Sequence, residues 1–400
     1  MGGKRHMNEW LDVVAQVEAM EDLPLDARLV GELQRRGSQA AAPAGADINF
    51  YTPTFKSFQT SEISGCGKNA WPAVSITGGD CKLQCDHCKA KILEPMIAAR
   101  TPEALWRAVS EIVADGAGGM LLTGGSNHRN EVEYAAFYPT IRRIKDSYPG
   151  FRIAVHTALV DAAGAQAMAD AGIDVAMMDV IGSQDTITQV YHLRRTVDDF
   201  ERTLETLVGT SMKVVPHIVI GLHYGRLLGE WNALEIIARH KPAAVVLVVV
   251  MPFYAPAHRP FVTPDAAEVG SFFMQARAAL PDIPLLLGCA RPSGQARTLI
   301  DTYAVMAGMN GMAHPSDGMV ELAARLERKV RITPACCSIA VGDEVMAASG
   351  KDAGLELDLE AIIRHERERR RAAARQGVFG QIKVVGDAGG GGCHGTGGRA

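Results

Sequence analysis

Strand-like and helix-like segments alternate along most of the chain, and this alternation constrains the fold more than any other feature. Strand–helix units that recur roughly every 30 to 35 residues are typical of a parallel (β/α)8 barrel. We therefore predict an α/β fold of the TIM-barrel type, which need not close completely. The predicted strands lie near residues 72–77, 119–123, 152–157, 174–180, 213–220, 244–251 and 284–289, with an eighth around 303–312. The predicted helices between them lie at 102–115, 132–146, 161–171, 197–209, 230–240 and 265–280.

The segments on either side of the barrel region differ from it in character. Residues 1–50 show helical spacing of apolar residues and predict an N-terminal helical extension. Residues 51–340 then form the barrel with flanking segments. Residues 341–380 contain a charged stretch that predicts a C-terminal helical extension, and 381–400 are a glycine-rich segment expected to be disordered.

Composition excludes several classes of function. The net charge of −4 and the lack of a polybasic segment argue against nucleic acid or an anionic membrane as partner. The strongest apolar run, at 243–251, is about half as long as a membrane-spanning helix needs to be. With eight cysteines in 400 residues and no export signal, we expect a cytoplasmic protein with reduced, metal-binding thiols.

Three cysteines, Cys81, Cys85 and Cys88, follow the first predicted strand within eight positions. This places them at the C-terminal rim of the barrel, where such folds carry their chemistry. A structural zinc site uses four ligands, and the fourth candidate, His87, lies between two of the cysteines with its side chain expected to point away. Three thiolates on an iron–sulfur cluster would instead leave one iron open to a small molecule.

The spacing C-x3-C-x2-C resembles the mark of the radical S-adenosylmethionine (SAM) superfamily. The resemblance implies a [4Fe-4S] cluster on the three cysteines, SAM at its open iron, and reductive cleavage of SAM to a 5′-deoxyadenosyl radical. The sequence LLTGGSN after the second predicted strand resembles the family's glycine-rich turn, which binds the methionine amino group. The matching residues are Gly124, Gly125 and Ser126, with Ser126 in place of the usual acidic residue.

Three further positions resemble SAM contacts of biotin-synthase-like members. Asp179 matches an acidic residue that contacts the SAM ribose, and Arg195 matches an arginine for the methionine carboxylate. The segment VVPHIVIGLHYGRLLGE resembles a fifth-strand glycine motif near the adenosine, which makes His217, Gly221 and Gly225 candidates. A surface salt bridge for Arg195 and a satisfied core position for His217 are the alternative interpretations.

Cys66, Cys289, Cys336 and Cys337 are candidate ligands of a probable auxiliary [4Fe-4S] cluster. Neighbouring cysteines seldom both serve packing, and a disulfide between two adjacent residues would be strained. A small buried apolar side chain is the alternative for Cys289, and an incidental loop residue is the alternative for Cys66. Cys393, in the glycine-rich tail, is interpreted as an incidental thiol.

The wider pattern, including GCARPSGQAR, GMNGMAHPS and CCSI, resembles the biotin-synthase-related proteins of archaeal-type, two-component lipoyl synthases. That resemblance implies sulfur insertion into a protein-bound octanoyl chain, with sulfur from the auxiliary cluster. The implied partners are an octanoylated lipoyl domain or H-protein type carrier, a second radical SAM protein, and ferredoxin or flavodoxin as electron donor. The alternatives are another biotin-synthase-like reaction, such as cofactor assembly or methyl transfer, without a sacrificial cluster, and a non-catalytic iron–sulfur partner protein.

Overall fold

The computed structural model describes residues 9–18, 20–39, 47–53, 60–63, 71–252, 255–333, 335–339 and 368. All of these except Glu368 belong to the compact unit formed by residues 1–356. The strands are β1 (Asp47–Tyr51), β2 (Ala73–Ser75), β3 (Ile97–Ala98), β4 (Gly119–Thr123), β5 (Arg152–His156), β6 (Val175–Asp179), β7 (Lys213–Ile220), β8 (Val245–Val249), β9 (Leu285–Leu287), β10 (Gly311–Ala313) and β11 (Lys329–Thr333). The helices are α1 (Glu9–Ala15), α2 (Ala27–Gln39), α3 (Pro102–Ala114), α4 (Tyr138–Ser147), α5 (Ala162–Asp170), α6 (Gln184–Gln189), α7 (Val197–Val208), α8 (Glu230–His240), α9 (Ala266–Ala279), α10 (Gln295–Met306) and α11 (Met319–Arg325).

The strands form one parallel sheet in the order β11-β1-β10-β9-β8-β7-β6-β5-β4-β2-β3. Every neighbouring pair runs in the same direction. The ladder ends at β3 on one side and β11 on the other, so the described strands form an open, curled half-barrel. The predicted TIM-type α/β fold is thereby confirmed in its incompletely closed form. Because all strands are parallel, their carboxyl ends meet at one rim.

Burial on both faces explains why the strands are so apolar. In β8, Val245, Val246, Leu247 and Val249 are each fully buried, as expected of a parallel strand covered by helices outside and packed side chains inside. Helix starts follow from local chemistry. Thr101 precedes α3 and accepts a hydrogen bond from the Ala104 N–H at 3.1 Å, which satisfies a free donor of the first turn.

The structure corrects the sequence-based elements at three places. The eighth strand is β10, at Gly311–Ala313, because residues 303–306 complete α10 and Gly308 then turns the chain with a φ of 76°. The helix predicted from residue 132 begins only at Tyr138, with a proline in its first turn. Strand β1 lies across the expected boundary at residue 50 and pairs with β10 and β11 in the sheet.

Helices α1 and α2 lie within the predicted N-terminal extension. The predicted C-terminal helical extension and glycine-rich tail lie outside the described residues, apart from Glu368. None of the described helices is long and apolar enough to cross a membrane.

Candidate active site

A cavity of about 340 Å³ opens at the rim where the strands end. Much of its wall is apolar, with Leu121, Met177, Val219, Val246 and Val248 supplied by β4 and β6–β8. In the part of the chain that the structure describes, no lysine or arginine lines this cavity. The interior is therefore suited to an apolar group and to chemistry that must exclude water.

Cys81, Cys85 and Cys88, hereafter the rim cysteines, line the cavity from the loop after β2. The loop turns sharply because Gln84 and Lys89 adopt left-handed backbone conformations, with φ of 52° and 45°. The Cys88 N–H donates to the Cys85 carbonyl at 3.3 Å. Burial, together with the neighbouring Cys88 and Cys81, raises the pKa of the Cys85 thiol. The loop thus gathers three thiols around one side of the cavity.

The glycine-rich turn after β4 packs directly against this loop. The Lys82 N–H donates to the Ser126 carbonyl at 2.8 Å, and the Cys81 Sγ lies 3.8 Å from the same oxygen. A Cβ placed on Gly125 would lie 1.9 Å from the Asp80 carbonyl oxygen. Because only a glycine permits this approach, the turn and the cysteine loop form one continuous wall.

Three polar side chains occupy the cavity at the ends of neighbouring strands. The His156 Nε2 lies 3.7 Å from the Asp179 Oδ1, and the rings of His156 and His217 are 5.3 Å apart. Burial opposes ionisation of Asp179, but the hydrogen bond and charge of His156 prevail and lower the Asp179 pKa to about 2. The pKa of His156 rises for the same reason, although burial alone would lower it. Their proximity therefore favours the charged form of each partner.

His217 differs from this pair because it stays neutral. Burial and then the charge of His156 lower its pKa to about 4. Its Nδ1 lies 3.1 Å from the Val215 carbonyl, so this nitrogen carries the proton and Nε2 is left as a hydrogen-bond acceptor. Together with the Asp179 carboxylate, His217 can accept hydrogen bonds from the hydroxyl groups of a bound ligand.

The residues fit an iron–sulfur cluster with SAM better than a single metal ion. Among the described residues, no three His, Cys, Asp or Glu side chains converge on one ion. A cluster instead requires only one thiolate per iron, and the close-packed glycine turn brings backbone groups beside the cysteine loop.

Residues 75–226 match the sequence model of the Radical SAM superfamily. The chain carries a radical SAM domain. The match contains the rim cysteines, the glycine turn and Asp179, and it supports the prediction of a radical SAM enzyme, a family that implies a [4Fe-4S] cluster and SAM. No curated protein matches the chain.

The fold of the radical SAM domain is similar to that of HydG, a maturase of the [FeFe]-hydrogenase. The TM-score is 0.51 at 13% identity, with 76% of this chain and 67% of that chain covered. Methylornithine synthase (PylB) gives a TM-score of 0.46 at 14% identity, covering 93% of this chain and 96% of that one. HydG from Carboxydothermus hydrogenoformans gives 0.49 at 12% identity, with 86% of each chain covered.

One expectation about the radical SAM cysteine motif is wrong. The sequence predicts a His87 side chain that points away from the cysteines, whereas in the structure it lines the cavity and its ring lies 5.1 Å from that of Tyr191. Cys85, His87 and Cys88 all line the cavity, between left-handed residues at Gln84 and Lys89. Burial lowers the pKa of His87, while Cys88 and Asp179 outweigh that effect and raise it.

Arg195, Gly221 and Gly225 do not line the cavity of the radical SAM domain. The Arg195 Nη2 forms an ion pair with the Glu131 Oε1 at 3.0 Å, which agrees with the alternative interpretation of this arginine. Gly221 and Gly225 shape the loop after β7 with φ of 78° and 91°. The Gly221 N–H donates to the buried carboxylate of Glu230 at 2.8 Å. These glycines therefore act on the loop conformation.

A second group of thiols lines the same cavity: Cys289, Cys336 and Cys337, hereafter the inner cysteines. Cys289 follows β9, whereas Cys336 and Cys337 lie on a short segment after β11 that enters the barrel. Cys337 is 5% exposed and packs in the interior core cluster. The Ser338 hydroxyl donates to the Cys336 Sγ at 3.1 Å. Cys66 and Cys393 lie outside the described residues.

A buried ion pair supports the inner cysteines, and sequence analysis missed it. The side chains of Arg291 and Asp301 are both 0% exposed, with the Arg291 Nε 2.7 Å from the Asp301 Oδ1. Arg291 also donates to the Ala313 carbonyl at the end of β10 at 2.7 Å. Because Arg291 is two residues after Cys289, the pair fixes the position of that loop. The only sequence signal was an arginine and an aspartate ten residues apart.

Proposed function

We propose that this radical SAM enzyme inserts sulfur into an unactivated C–H bond of a protein-bound octanoyl chain, as a component of a lipoyl synthase. The sulfur comes from an auxiliary [4Fe-4S] cluster held by Cys289, Cys336 and Cys337, with Cys66 as a further candidate ligand. The observation that carries the proposal is that the inner and rim cysteines line one cavity. A substrate carbon bound between them can meet both the hydrogen-abstracting group and the sulfur source.

The lining of the cavity favours a neutral acyl chain over a free fatty acid. Much of its wall is apolar, and none of its described lining residues is a lysine or arginine that could pair with a carboxylate. The half-buried His156 already lies against Asp179, with 3.7 Å between Nε2 and Oδ1. An octanoyl chain joined to a carrier lysine as an amide has no such charge to desolvate. Its polar end can stay at the rim, with the carrier protein outside.

The residues of the chain bind and orient, and the bound groups supply the electron chemistry. When present, the rim cluster supplies the electron that cleaves SAM, and the auxiliary cluster supplies sulfide and accepts one electron for each C–S bond. The substrate C–H bond is replaced by a C–S bond, and its hydrogen atom leaves in 5′-deoxyadenosine. Asp179 and His217 offer acceptors for hydroxyl groups of SAM. Reduced ferredoxin or flavodoxin provides the electron, and a second radical SAM protein completes the two thiolations.

The proposal is tested by counting iron and sulfide after anaerobic reconstitution, with Mössbauer spectra, in wild type and in a Cys336→Ala, Cys337→Ala variant. Wild type should hold about eight irons per chain and the variant about four. The variant should still cleave SAM but should not thiolate an octanoylated lipoyl domain. A Cys85→Ala, Cys88→Ala variant is the matched control, because it should lose the other cluster. About four irons in both wild type and the inner-cysteine variant would refute the auxiliary cluster and favour a single-cluster reaction.

A further inference from the structure

Asp86, inside the cysteine motif, has a buried carboxylate that the chemistry described above does not use. It is 3% exposed and is not among the cavity-lining residues, although both of its neighbours are. Its Oδ1 lies 2.7 Å from the Lys89 Nζ and 3.1 Å from the His192 Nε2. Its Oδ2 lies 3.1 Å from the Tyr224 hydroxyl and 3.8 Å from the Arg259 Nη1. A single carboxylate thus contacts four donors.

These donors come from four different loops of the rim. Lys89 belongs to the cysteine loop, His192 to the loop after α6, Tyr224 to the loop after β7, and Arg259 to the loop after β8. The Arg259 Nη1 also donates to the Tyr224 hydroxyl at 2.8 Å, which connects the last two loops to each other. The Asp86 N–H donates to the Val190 carbonyl at 2.9 Å. Both main chain and side chain of Asp86 therefore join the cysteine loop to its neighbours.

The backbone at three of these donors is strained. Lys89, His192 and Tyr224 have φ of 45°, 58° and 54°, in the left-handed region that non-glycine residues rarely adopt. Such conformations persist only where surrounding contacts hold them, and they concentrate at functional sites. The Asp86 carboxylate, paired with the Lys89 ammonium at 2.7 Å and in contact with His192 and Tyr224, makes the contacts that hold these three conformations.

We propose that Asp86 is a positioning residue for SAM binding, because it sets the distance between the rim cysteines and the two residues Asp179 and His217 on the neighbouring strands. The loops that it holds follow β6 and β7, the strands that end with Asp179 and carry His217. SAM must reach from the open iron to these residues. If the loops separate, the cluster can still assemble on its own three thiols, while SAM can no longer contact both sides at once.

The first test uses Asp86→Asn, which keeps the size of the side chain and removes its charge. After anaerobic reconstitution, the variant should contain as much rim-cluster iron as wild type, and its reduced cluster should give an EPR signal. SAM should bind about tenfold more weakly by calorimetry, as expected for losing hydrogen bonds to a charged group. The change that SAM causes in the EPR signal should shrink accordingly. Asp80→Asn is the matched control, because Asp80 is on the same loop and forms only an exposed pair with Arg100.

The second test uses Tyr224→Phe, which removes one donor far from the cysteines in sequence and leaves the Asp86 charge in place. Its cluster should be intact and its affinity for SAM about threefold lower. Wild-type SAM affinity in both Asp86→Asn and Tyr224→Phe would overturn the proposal. If Asp86→Asn fails to assemble the cluster, Tyr224→Phe decides: weaker SAM binding with full iron content supports the positioning role, and unchanged binding refutes it.

Discussion

The rim cysteines and the inner cysteines line one cavity but are held in different ways. The rim cysteines lie on a loop that depends on left-handed turns, a glycine contact and the polar contacts of Asp86. The inner cysteines lie at the end of β9 and on a segment packed into the barrel core, next to the buried pair of Arg291 and Asp301. Loop positions carry binding chemistry in many folds, whereas core positions are fixed by packing. The comparison implies that the first group is sensitive to local contacts and the second to the stability of the whole sheet.

Removing one cysteine from each group should give the largest effect and separate their roles. Cys85→Ala should abolish SAM cleavage, because the rim cluster then lacks one of its three thiolates. Cys337→Ala should retain SAM cleavage and lose only thiolation of the octanoylated carrier. The two products, 5′-deoxyadenosine and thiolated peptide, are measured by mass spectrometry in one reaction. Loss of SAM cleavage in both variants would mean that the two groups do not act separately.

The support of the inner cysteines can be tested without any cluster. Arg291→Met should lower the free energy of unfolding of the apoprotein by about 3 to 5 kcal/mol, because it leaves the Asp301 carboxylate buried without its partner. Urea unfolding followed by circular dichroism measures the change. Arg100→Met breaks an exposed ion pair on the rim and should have little effect. If the two variants are equally stable, the buried pair of Arg291 and Asp301 does not support the inner cysteines.

The cavity-lining residue His217 should make the free energy of unfolding of the apoprotein fall as the pH is lowered. His217 has a pKa of about 4 when folded and about 6.5 when unfolded, so the unfolded chain takes up its proton first as the pH falls. This residue should therefore cost the apoprotein about 3 kcal/mol between pH 6.5 and pH 4. In the folded protein Asp179, with a pKa of about 2, stays ionised throughout this window. His217→Asn should flatten the dependence of unfolding free energy on pH there, and an unchanged slope would contradict the assignment.

A single methyl group should distinguish the rim contacts from ordinary loop packing. In Gly125→Ala the new Cβ would meet the Asp80 carbonyl, so the glycine turn must move away from the cysteine loop. We expect SAM to bind about tenfold more weakly by calorimetry, which corresponds to about 1.4 kcal/mol. Gly79→Ala on the same loop is the control, since its Cβ would lie an ordinary 3.8 Å from Glu94. Equal affinities in the two variants would show that the close approach at Gly125 is unimportant.

Hydrophobic periodicity predicted the long central strands, because burial on both faces leaves a continuous apolar run such as β8. It missed β3 and β11, the two edge strands of the sheet, and β1, which pairs with β10 and β11 more than 250 residues away in the chain. The cysteine spacing located the rim thiols because their loop is local in sequence. Asp86 was not predicted, since its partner Arg259 is 173 residues away in the chain and no local pattern records that contact.

The entry of residues 335–339 into the barrel also sets an order of events during synthesis. The rim cysteines leave the ribosome early, whereas Cys336 and Cys337 follow β11, the last strand in chain order among the described residues. Domains fold largely as units while the chain emerges, so the core that receives Cys337 exists only when β1 has paired with β10 and β11. The auxiliary cluster proposed above would therefore assemble on the inner cysteines only in a nearly complete barrel.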